Sequence, residues 1–226
     1  QYFKGDRMNV KIISPIYTNV INYIAENARI CYGKEFEDKE KDDLATVASL
    51  LNRGHHSVFE CVYIEWLVEG ISRACSHQIV RHRCASYLQL SQRYVKYDKG
   101  SNFWKNIVMP EPISKNTVAM QIYDNLMNSV EEAYLDLIAL GIKPEDARYV
   151  TTQAHTTTLK IGMNLREFLF NFYPLRSSKK AQDEIRELAE NMRNALFEHF
   201  CKQKDFWQFI SMYGDWKEEQ NRPEWK

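Results

Sequence analysis

The spacing of hydrophobic residues predicts a chain with more helix than strand. Apolar residues recur every three or four positions over residues 19–31, 39–52, 116–140 and 179–201, the spacing that places side chains on one face of a helix. In the third of these segments, the predicted apolar stripe is formed by Ile122, Leu126, Val130, Tyr134 and Leu137. A further helix is predicted over residues 71–83, and two shorter ones are predicted to begin at Pro144 and to cover residues 165–172.

Strand signals are fewer and shorter. Apolar residues alternate with polar ones from Val62 to Val68, which predicts a strand over residues 58–68 that ends at Gly70. An edge strand is predicted over residues 10–16, closed by Pro15, and another is predicted to begin at residues 156–158. Because there is no internal repeat and no long linker, residues 9–226 are predicted to form one α+β domain, mostly helical, with a small antiparallel sheet. Residues 1–8 are expected to be an N-terminal extension or a remnant of the expression vector.

Composition and charge exclude several classes of protein. The 226 residues are 44% hydrophobic with only eight Gly and six Pro, so we expect a folded core and not a disordered chain. Thirty basic side chains balance thirty acidic ones, so net charge gives no argument for a nucleic acid or a membrane as partner. The five cysteines include no Cys-x-x-Cys pair, and no apolar stretch approaches the ~18 residues of a spanning helix. These features predict a soluble, cytoplasmic protein with reduced thiols.

Local charge is more informative than net charge. Residues 71–97 contain five Lys or Arg side chains and two His side chains but no Asp or Glu. Ser and Gln side chains are interleaved with them, and arginine guanidinium groups match the geometry of phosphate, so the segment predicts a nucleotide site. The alternative is a solvated basic face whose acidic partners lie elsewhere in the sequence.

A zinc site is a second possibility for this segment, since Cys75, His77, His82 and Cys84 have suitable side chains. However, His77 and His82 lie five positions apart on a predicted helix, and the neighbouring arginines repel a cation. No metal site is therefore expected.

A third possibility is a basic groove that binds RNA or a nucleotide without catalysis. The tyrosines at positions 87, 94 and 97 offer faces for base stacking. The zero net charge argues against a dedicated nucleic-acid binder.

The sequence Arg81-His82-Arg83, followed after seven residues by Ser91, resembles the RHR-x7-S signature of the flavin-dependent thymidylate synthases. The longer string RHRCASYLQLSQRY is similar to the extended motif of that family. Four further segments resemble family motifs in the same order, at residues 54–60 (GHHSVFE), 147–148 (AR), 164–167 (NLRE) and 175–185, so the resemblance spans about residues 9–200. The chain departs from the family pattern at Gln89, where many members have Glu, at Thr151-Thr152, where Leu-Pro is usual, and at Lys180, where His is common.

The stretch from Arg166 to Arg176 is also one residue longer than usual in this family. Either Phe170 or Asn171 therefore fills the position that contacts the flavin. Asn171 is the favoured choice, because an amide can hydrogen bond to a flavin and a phenyl ring cannot.

The resemblance implies reductive methylation of dUMP to dTMP, with methylenetetrahydrofolate as the carbon donor and NADPH-reduced FAD as the source of the hydride. It also implies a homotetramer with sites at subunit interfaces, and neither a nucleic acid nor a membrane as partner. The sequence contains no Gly-x-Gly-x-x-Gly and no Walker loop, so FAD is not expected to bind as in a Rossmann fold.

The resemblance also implies the roles of individual residues. Cofactor binding is expected of His55, Ser57, Arg81, His82, Arg83, Gln89, Asn164, Arg166 and Asn171. Substrate binding is expected of Gln78, Ile79, Val80, Arg81, Gln89, Leu90, Ser91, Gln92, Arg93, Arg148 and Arg176.

Arg176 is the expected catalytic residue, because its planar guanidinium can stabilise negative charge that develops at N3 and O2 of the uracil ring. Ser91 is expected to bind an anion and not to act as a nucleophile, since no carboxylate lies nearby in sequence to orient a histidine as its base. Cys84 is interpreted as a packing residue. The alternative to a cofactor-binding role for His55 is a buried position in the core.

Overall fold

The computed structural model describes residues 8–14, 17–33, 42–94, 101–200 and 202–220, without the side chains of residues 101, 102 and 215–220. The helices are α1 (Val20–Ile30), α2 (Asp43–Asn52), α3 (Arg73–Ile79), α4 (Ser101–Lys105), α5 (Glu111–Ser114), α6 (Thr117–Ala139), α7 (Pro144–Ala147), α8 (Leu165–Glu167), α9 (Tyr173–Arg176), α10 (Asp183–Phe200) and α11 (Lys204–Gln220). The strands are β1 (Asn9–Ile12), β2 (Tyr63–Ser72), β3 (Ala85–Gln89) and β4 (Thr156–Asn164). The predicted strand end at Pro15, the predicted helix start at residue 39 and the predicted helix end at residue 201 lie outside the described residues.

The four strands form one antiparallel sheet in the order β1-β2-β4-β3. Side chains of β2 alternate as predicted, so that Ile64, Trp66 and Val68 are buried on one face. The helix α10 packs on this face, and the indole Nε1 of Trp66 donates a 3.1 Å hydrogen bond to the backbone oxygen of Met192. The prediction of a mostly helical α+β fold with a small antiparallel sheet is therefore confirmed.

Two groups of helices complete the packing. The helices α1, α2 and α11 pack together beside the sheet and share its main core. A smaller core lies under α6 and is formed by Phe103, Ile107, Met127, Val130, Tyr134 and Ala147.

The structure differs from the sequence prediction at both ends of β2. Residues His56–Cys61 form a 3-10 helix that buries Val58 and Phe59, so the predicted strand start at residue 58 is wrong. The predicted end of β2 at Gly70 is wrong as well. That residue has a φ of 77° beside a bulge in the β2–β4 pairing, and the strand continues to Ser72.

Other elements were absent from the prediction. Strand β3 carries polar residues on both faces, so it has no hydrophobic alternation to detect. The helices α4, α5 and α11 were not predicted either. Helix α11 buries Phe206, Phe209 and Tyr213.

The predicted apolar stripe of α6 is only partly buried. Val130 and Tyr134 lie in the smaller core, whereas Ile122 is 66% exposed and Leu126 is 53% exposed. The N-terminal half of the helix extends beyond the residues that form this core. Its apolar stripe therefore has no covering layer within the described part of the chain.

Candidate functional site

The helical segment 165–176 organises the site, because its side chains reach different parts of it. The segment runs through α8, a π-helical turn at Phe168–Phe172 and α9. A π turn closes its hydrogen bond one residue later than an α turn, so it takes up one additional residue. The π turn therefore takes up one residue more than an α-helical turn would, in the stretch that was predicted to be one residue longer than usual.

Phe170 and Asn171 have different surroundings in this turn. The ring of Phe170 stacks on His56, with centroids 3.9 Å apart and planes inclined by 10°. Asn171 is exposed, and its Nδ2 donates a 2.8 Å hydrogen bond to Oε2 of Glu167. These polar surroundings support Asn171 over Phe170 as the residue that contacts the flavin, which stays a prediction.

His82, the middle residue of the RHR signature, lies buried between a carboxylate and a guanidinium. Its Nδ1 is 3.3 Å from Oε1 of Glu167, and its Nε2 accepts a 2.9 Å hydrogen bond from Nε of Arg176. Because a guanidinium only donates, we assign the ring proton to Nδ1, from which it is donated to Glu167. The ring of Phe172 packs against the same imidazole at a centroid distance of 4.8 Å. His82 thus connects Glu167 to Arg176.

Burial shifts the pKa values of this network. Desolvation lowers the pKa of His82, and the hydrogen bond to Glu167 opposes that shift without overcoming it. Desolvation also lowers the pKa of Arg176 from its usual value, although a guanidinium remains charged at neutral pH. At neutral pH the network therefore holds a neutral imidazole beside a cation.

Three further hydrogen bonds fix the end of α3 and the turn at residues 80–84, here called the signature turn. Nη2 of Arg176 donates a 2.7 Å hydrogen bond to the backbone oxygen of Gln78. The hydroxyl of Tyr87, on β3, lies 2.9 Å from the backbone oxygen of Ile79 and 2.8 Å from that of His82. Desolvation raises the pKa of Tyr87 to about 12, so the hydroxyl keeps the proton that it donates. The signature turn is therefore tied to both β3 and Arg176.

A second group of predicted substrate residues lies around Glu145 in α7. Oε2 of Glu145 accepts a 2.9 Å hydrogen bond from Nε of Arg93, and its backbone oxygen accepts a 3.0 Å bond from Nε of Arg148. The Arg93 guanidinium holds the pKa of the Glu145 carboxyl below its usual value. Oγ of Ser91 accepts a 3.2 Å hydrogen bond from the backbone N–H of Arg93. Glu145 thus joins Ser91 and Arg93 to Arg148, and the binding of one anion by these three residues stays a prediction.

The remaining predicted substrate residues differ in their exposure. The side chain of Gln78 donates a 2.5 Å hydrogen bond to Gln182, and Nε2 of Gln89 lies 3.2 Å from the hydroxyls of both Ser76 and Thr157. Val80 and Leu90 are exposed, whereas Ile79 and Gln92 are buried. A buried side chain such as that of Ile79 leaves only its backbone for contact with a ligand.

A cleft of about 430 Å³ brings together predicted cofactor residues from distant parts of the chain. His55, Ser57 and Arg166 line it, and Arg166 forms an ion pair with Glu60. His55 is exposed, so the alternative of a core histidine is wrong. Cys31 and Tyr32 also line the cleft, and sequence reasoning missed both.

The flanking arginines of the signature remain open to solvent. Arg81 and Arg83 are exposed, and no carboxylate in the described ranges forms an ion pair with either. Among the described residues, the alternative of distant acidic partners for this basic segment therefore accounts for Arg93 but not for these two arginines. Cys84 is exposed as well, so its interpretation as a packing residue is wrong.

Three residues in these contacts had no role in the enzyme site predicted from the sequence. Glu167 and Tyr87 fix the signature turn, and Glu145 joins Arg93 to Arg148. Their signal in the sequence is weak, because the contacts of Glu167 with His82 and of Glu145 with Arg93 span 85 and 52 positions. Asn164 was predicted to bind the cofactor, and it also caps α8. Its Oδ1 accepts a 2.8 Å hydrogen bond from the backbone N–H of Glu167.

Comparison with known proteins agrees with the signature. The sequence profile described as thymidylate synthase complementing protein matches residues 16–200. A flavin-dependent thymidylate synthase from Geobacter sulfurreducens is 39% identical over 175 residues, which cover 75% of this chain and 74% of that protein. The chain belongs to the flavin-dependent thymidylate synthase family.

Other members of the flavin-dependent thymidylate synthase family are similar in sequence and fold. The enzyme of that name from Thermococcus onnurineus is 38% identical over 171 residues, or 73% of this chain and 69% of that protein. The crystal structure of thymidylate synthase X from Helicobacter pylori with FAD and dUMP matches with a TM-score of 0.67 over 85% of this chain and 95% of that chain, at 24% identity. At this identity, the match shows a shared fold.

The described part of this family member contains no helix that is both long and apolar enough to cross a membrane. The same residues contain no cluster of three or more His, Cys, Asp or Glu side chains suited to a metal ion.

Proposed function

We propose that this protein converts dUMP to dTMP by reductive methylation, with methylenetetrahydrofolate as the carbon donor and NADPH as the reductant of bound FAD. The observation that carries the proposal is the position of Arg176. Its guanidinium is held 2.9 Å from the signature residue His82 in a chain that belongs to the family. The signature and the expected catalytic residue thus lie in one hydrogen-bonded unit.

Arg176 is the proposed catalytic residue. A uracil ring becomes a carbon nucleophile only when negative charge can build up over N3 and O2, and a fixed planar cation stabilises that charge. The guanidinium is half-buried and is fixed by two hydrogen bonds, to His82 and to the backbone of Gln78. Such preorganised donors lower the barrier because they need no rearrangement as the charge develops.

The proposed site for the 5′-phosphate of dUMP is formed by Ser91, Arg93 and Arg148. Arginine guanidinium groups and a serine hydroxyl are suited to phosphate oxygens. Glu145 holds the two arginines in place. Its ion pair with Arg93 has to break when a phosphate binds the same guanidinium. The side chains of Gln78 and Gln89 are proposed to contact the ribose or the base.

The residues present fit FAD in their chemistry. The exposed cations of Arg81 and Arg83 suit a pyrophosphate, and His55, Ser57 and Arg166 provide donors along the 430 Å³ cleft. His82, Gln89, Asn164 and Asn171 complete the proposed cofactor residues. When bound, FAD supplies the hydride that it receives from NADPH.

A homotetramer and a cytoplasmic location belong to the same proposal. The exposed stripe of Val118, Ile122 and Leu126 on α6 supports assembly, because an apolar stripe of this kind is stabilised when another surface covers it. The thiols of Cys31, Cys61 and Cys84 are exposed and form no disulfide within the described residues, which supports a reducing compartment.

The test uses the purified full chain. We expect a yellow protein that contains FAD, has a mass in solution above that of one chain, and forms dTMP from dUMP only when methylenetetrahydrofolate and NADPH are both present. Visible absorbance, light scattering and mass spectrometry of the nucleotide products measure these properties. A colourless monomer that takes up no added FAD and makes no dTMP would contradict the proposal and favour a basic groove for RNA, which the comparisons do not favour.

A further inference from the structure

Glu167 is a buried carboxylate without a role in the mechanism described above. Its side chain is 7% exposed, at the C-terminal end of α8. A buried carboxylate is unfavourable unless its oxygens accept hydrogen bonds. Both oxygens have partners, since Oε1 faces Nδ1 of His82 and Oε2 accepts from Nδ2 of Asn171.

These contacts fix the direction of the hydrogen bonds that lead to Arg176. The imidazole of His82 can donate from one ring nitrogen and accept at the other, and Glu167 accepts but does not donate. With Glu167 at Nδ1, the lone pair is left at Nε2, where Nε of Arg176 donates at 2.9 Å. The opposite tautomer would place an N–H against the N–H of the guanidinium. The carboxylate therefore selects the only tautomer that holds Arg176.

Among the described residues, the surroundings of His82 offer no second acceptor for Nδ1. Phe172 covers one side of the ring, and the Tyr87 hydroxyl contacts the backbone oxygen of His82 and not its ring. The charged groups that act on the imidazole are Glu167 and Arg176 themselves. Removing Glu167 thus leaves Nδ1 without a designated acceptor in the described part of the chain.

We propose that Glu167 is a positioning residue for Arg176: it fixes the tautomer of His82, and His82 in turn aims the guanidinium at the pyrimidine. The same carboxylate holds Asn171, so one buried group joins the proposed substrate residue to a proposed flavin contact. This inference rests on the proposed function for the role of Arg176, but the hydrogen-bond relay is a property of the chain without ligands.

The relay is tested first by ¹⁵N NMR of the unloaded full chain, labelled at histidine, near pH 8. The ring signals of His82 are identified by their loss in His82→Gln. We expect a protonated Nδ1 and an unprotonated Nε2 in the wild type and in Glu167→Gln, whose amide oxygen can still accept from Nδ1. Glu167→Ala is expected to shift the proton to Nε2 or to give a mixture of tautomers.

Kinetics of the FAD-loaded enzyme provide the second test. Loss of a carboxylate that orients a metal-bound histidine costs about 10- to 100-fold in activity, and we expect the same range for the orientation of His82. Glu167→Ala should therefore lower kcat by that factor at saturating dUMP, while the Kd for dUMP stays close to the wild-type value. Glu167→Gln should recover most of the turnover. Glu190→Gln is the matched control, because Glu190 also accepts hydrogen bonds from a neighbouring side chain, Tyr173, but lies outside the relay.

The outcomes separate this inference from the proposed function. A Glu167→Ala protein that keeps the wild-type tautomer, or that loses it without a loss of kcat, overturns the positioning role. An equal loss of turnover in Glu167→Gln and Glu167→Ala, with the tautomer kept in the former, also overturns it. A wild-type chain that binds no FAD and makes no dTMP contradicts the proposed function, whereas the tautomer measurement still decides whether the relay exists.

Discussion

Nε of Arg176 donates a 2.9 Å hydrogen bond to Nε2 of His82, although 94 positions of sequence separate the two residues. The contact joins the C-terminal end of α9 to the signature turn after α3. An arginine held by a neutral imidazole retains its full positive charge, whereas a carboxylate partner would neutralise it. The arrangement therefore fixes the direction of the guanidinium and leaves its charge available to a ligand.

Replacing Arg176 by Lys should not be conservative. Lysine keeps the charge but cannot form the two hydrogen bonds that fix the planar guanidinium, to His82 and to Gln78. We expect a loss of ~10²- to 10³-fold in turnover at saturating dUMP, measured as dTMP formation in parallel with dUMP affinity and NADPH-driven flavin reduction. If saturating dUMP restores full turnover, Arg176 is a binding residue and its proposed catalytic role is wrong.

Arg148→Ala should chiefly weaken dUMP binding. Loss of a charge-assisted hydrogen bond to the phosphate costs about 1.5–3 kcal/mol, or roughly one to two orders of magnitude in Kd. Isothermal titration of the protein with dUMP and with deoxyuridine measures the effect. The difference should vanish for deoxyuridine, which has no phosphate, and Arg186→Ala on α10 is the control. An equal loss for both ligands would place Arg148 outside the phosphate site.

Cys84→Ser should retain most dTMP formation. The thiol lies within the signature, directly after Arg83, but it is exposed and the proposed mechanism uses no covalent nucleophile. Turnover of Cys84→Ser is compared with that of Cys61→Ser, which removes another exposed thiol. A Cys84→Ser protein that binds dUMP normally and makes no dTMP would show that the thiol is essential.

The free energy of unfolding should decrease at acidic pH because of His155. This side chain is fully buried, and desolvation lowers its pKa from 6.5 to about 4, so the unfolded chain binds the proton first as the pH falls. The stability that the neutral imidazole contributes is complete above about pH 6.5 and is lost between pH 6.5 and 4, by about 3 kcal/mol in total.

Urea unfolding at several pH values compares wild type, His155→Gln and, as a control, His77→Gln at an exposed position. The free energy of unfolding of His155→Gln should depend less on pH in this range. Identical pH dependence in wild type and His155→Gln would rule out His155 as the source.

Gly162 should accept a side chain only if Tyr63 on the neighbouring strand moves. A Cβ at position 162 would lie 2.5 Å from the Tyr63 hydroxyl oxygen and 2.9 Å from its Cε1. Because the Tyr63 side chain is exposed and can rotate, Gly162→Ala is expected to destabilise the fold by about 1 kcal/mol, the low end of the cost of overpacking.

In a Tyr63→Ala background, most of that loss should disappear, and the double-mutant cycle measures the coupling. Gly214→Ala is the control, since a Cβ there meets no atom within 4 Å and alanine favours a helix. Equal losses from Gly162→Ala in both backgrounds would contradict a clash with Tyr63.

Much of the fold was predictable because its signals are local. The apolar stripe of α10 and the alternation in β2 repeat within a few residues. Each of these two segments therefore indicates from its own sequence which of its faces is buried. The signature from Arg81 to Ser91 is also contiguous, so the amino-acid order alone is enough to indicate the family. Strand β3 lacked such a signal, because its hydrogen bonds with β4 and not its own side chains make it a strand.

The sequence by itself determined which chemistry-bearing residues the chain contains and which family they resemble. Only the tertiary structure decided their relationships: that His82 faces Glu167 and Arg176, and that Arg93 and Arg148 meet around Glu145. The contacts of His82 and Arg93 join positions 52 to 94 residues apart, and hydrogen bonds act over about 3 Å. No local pattern encodes such a contact, because it depends on how β3, α3, α7 and the segment 165–176 pack against one another.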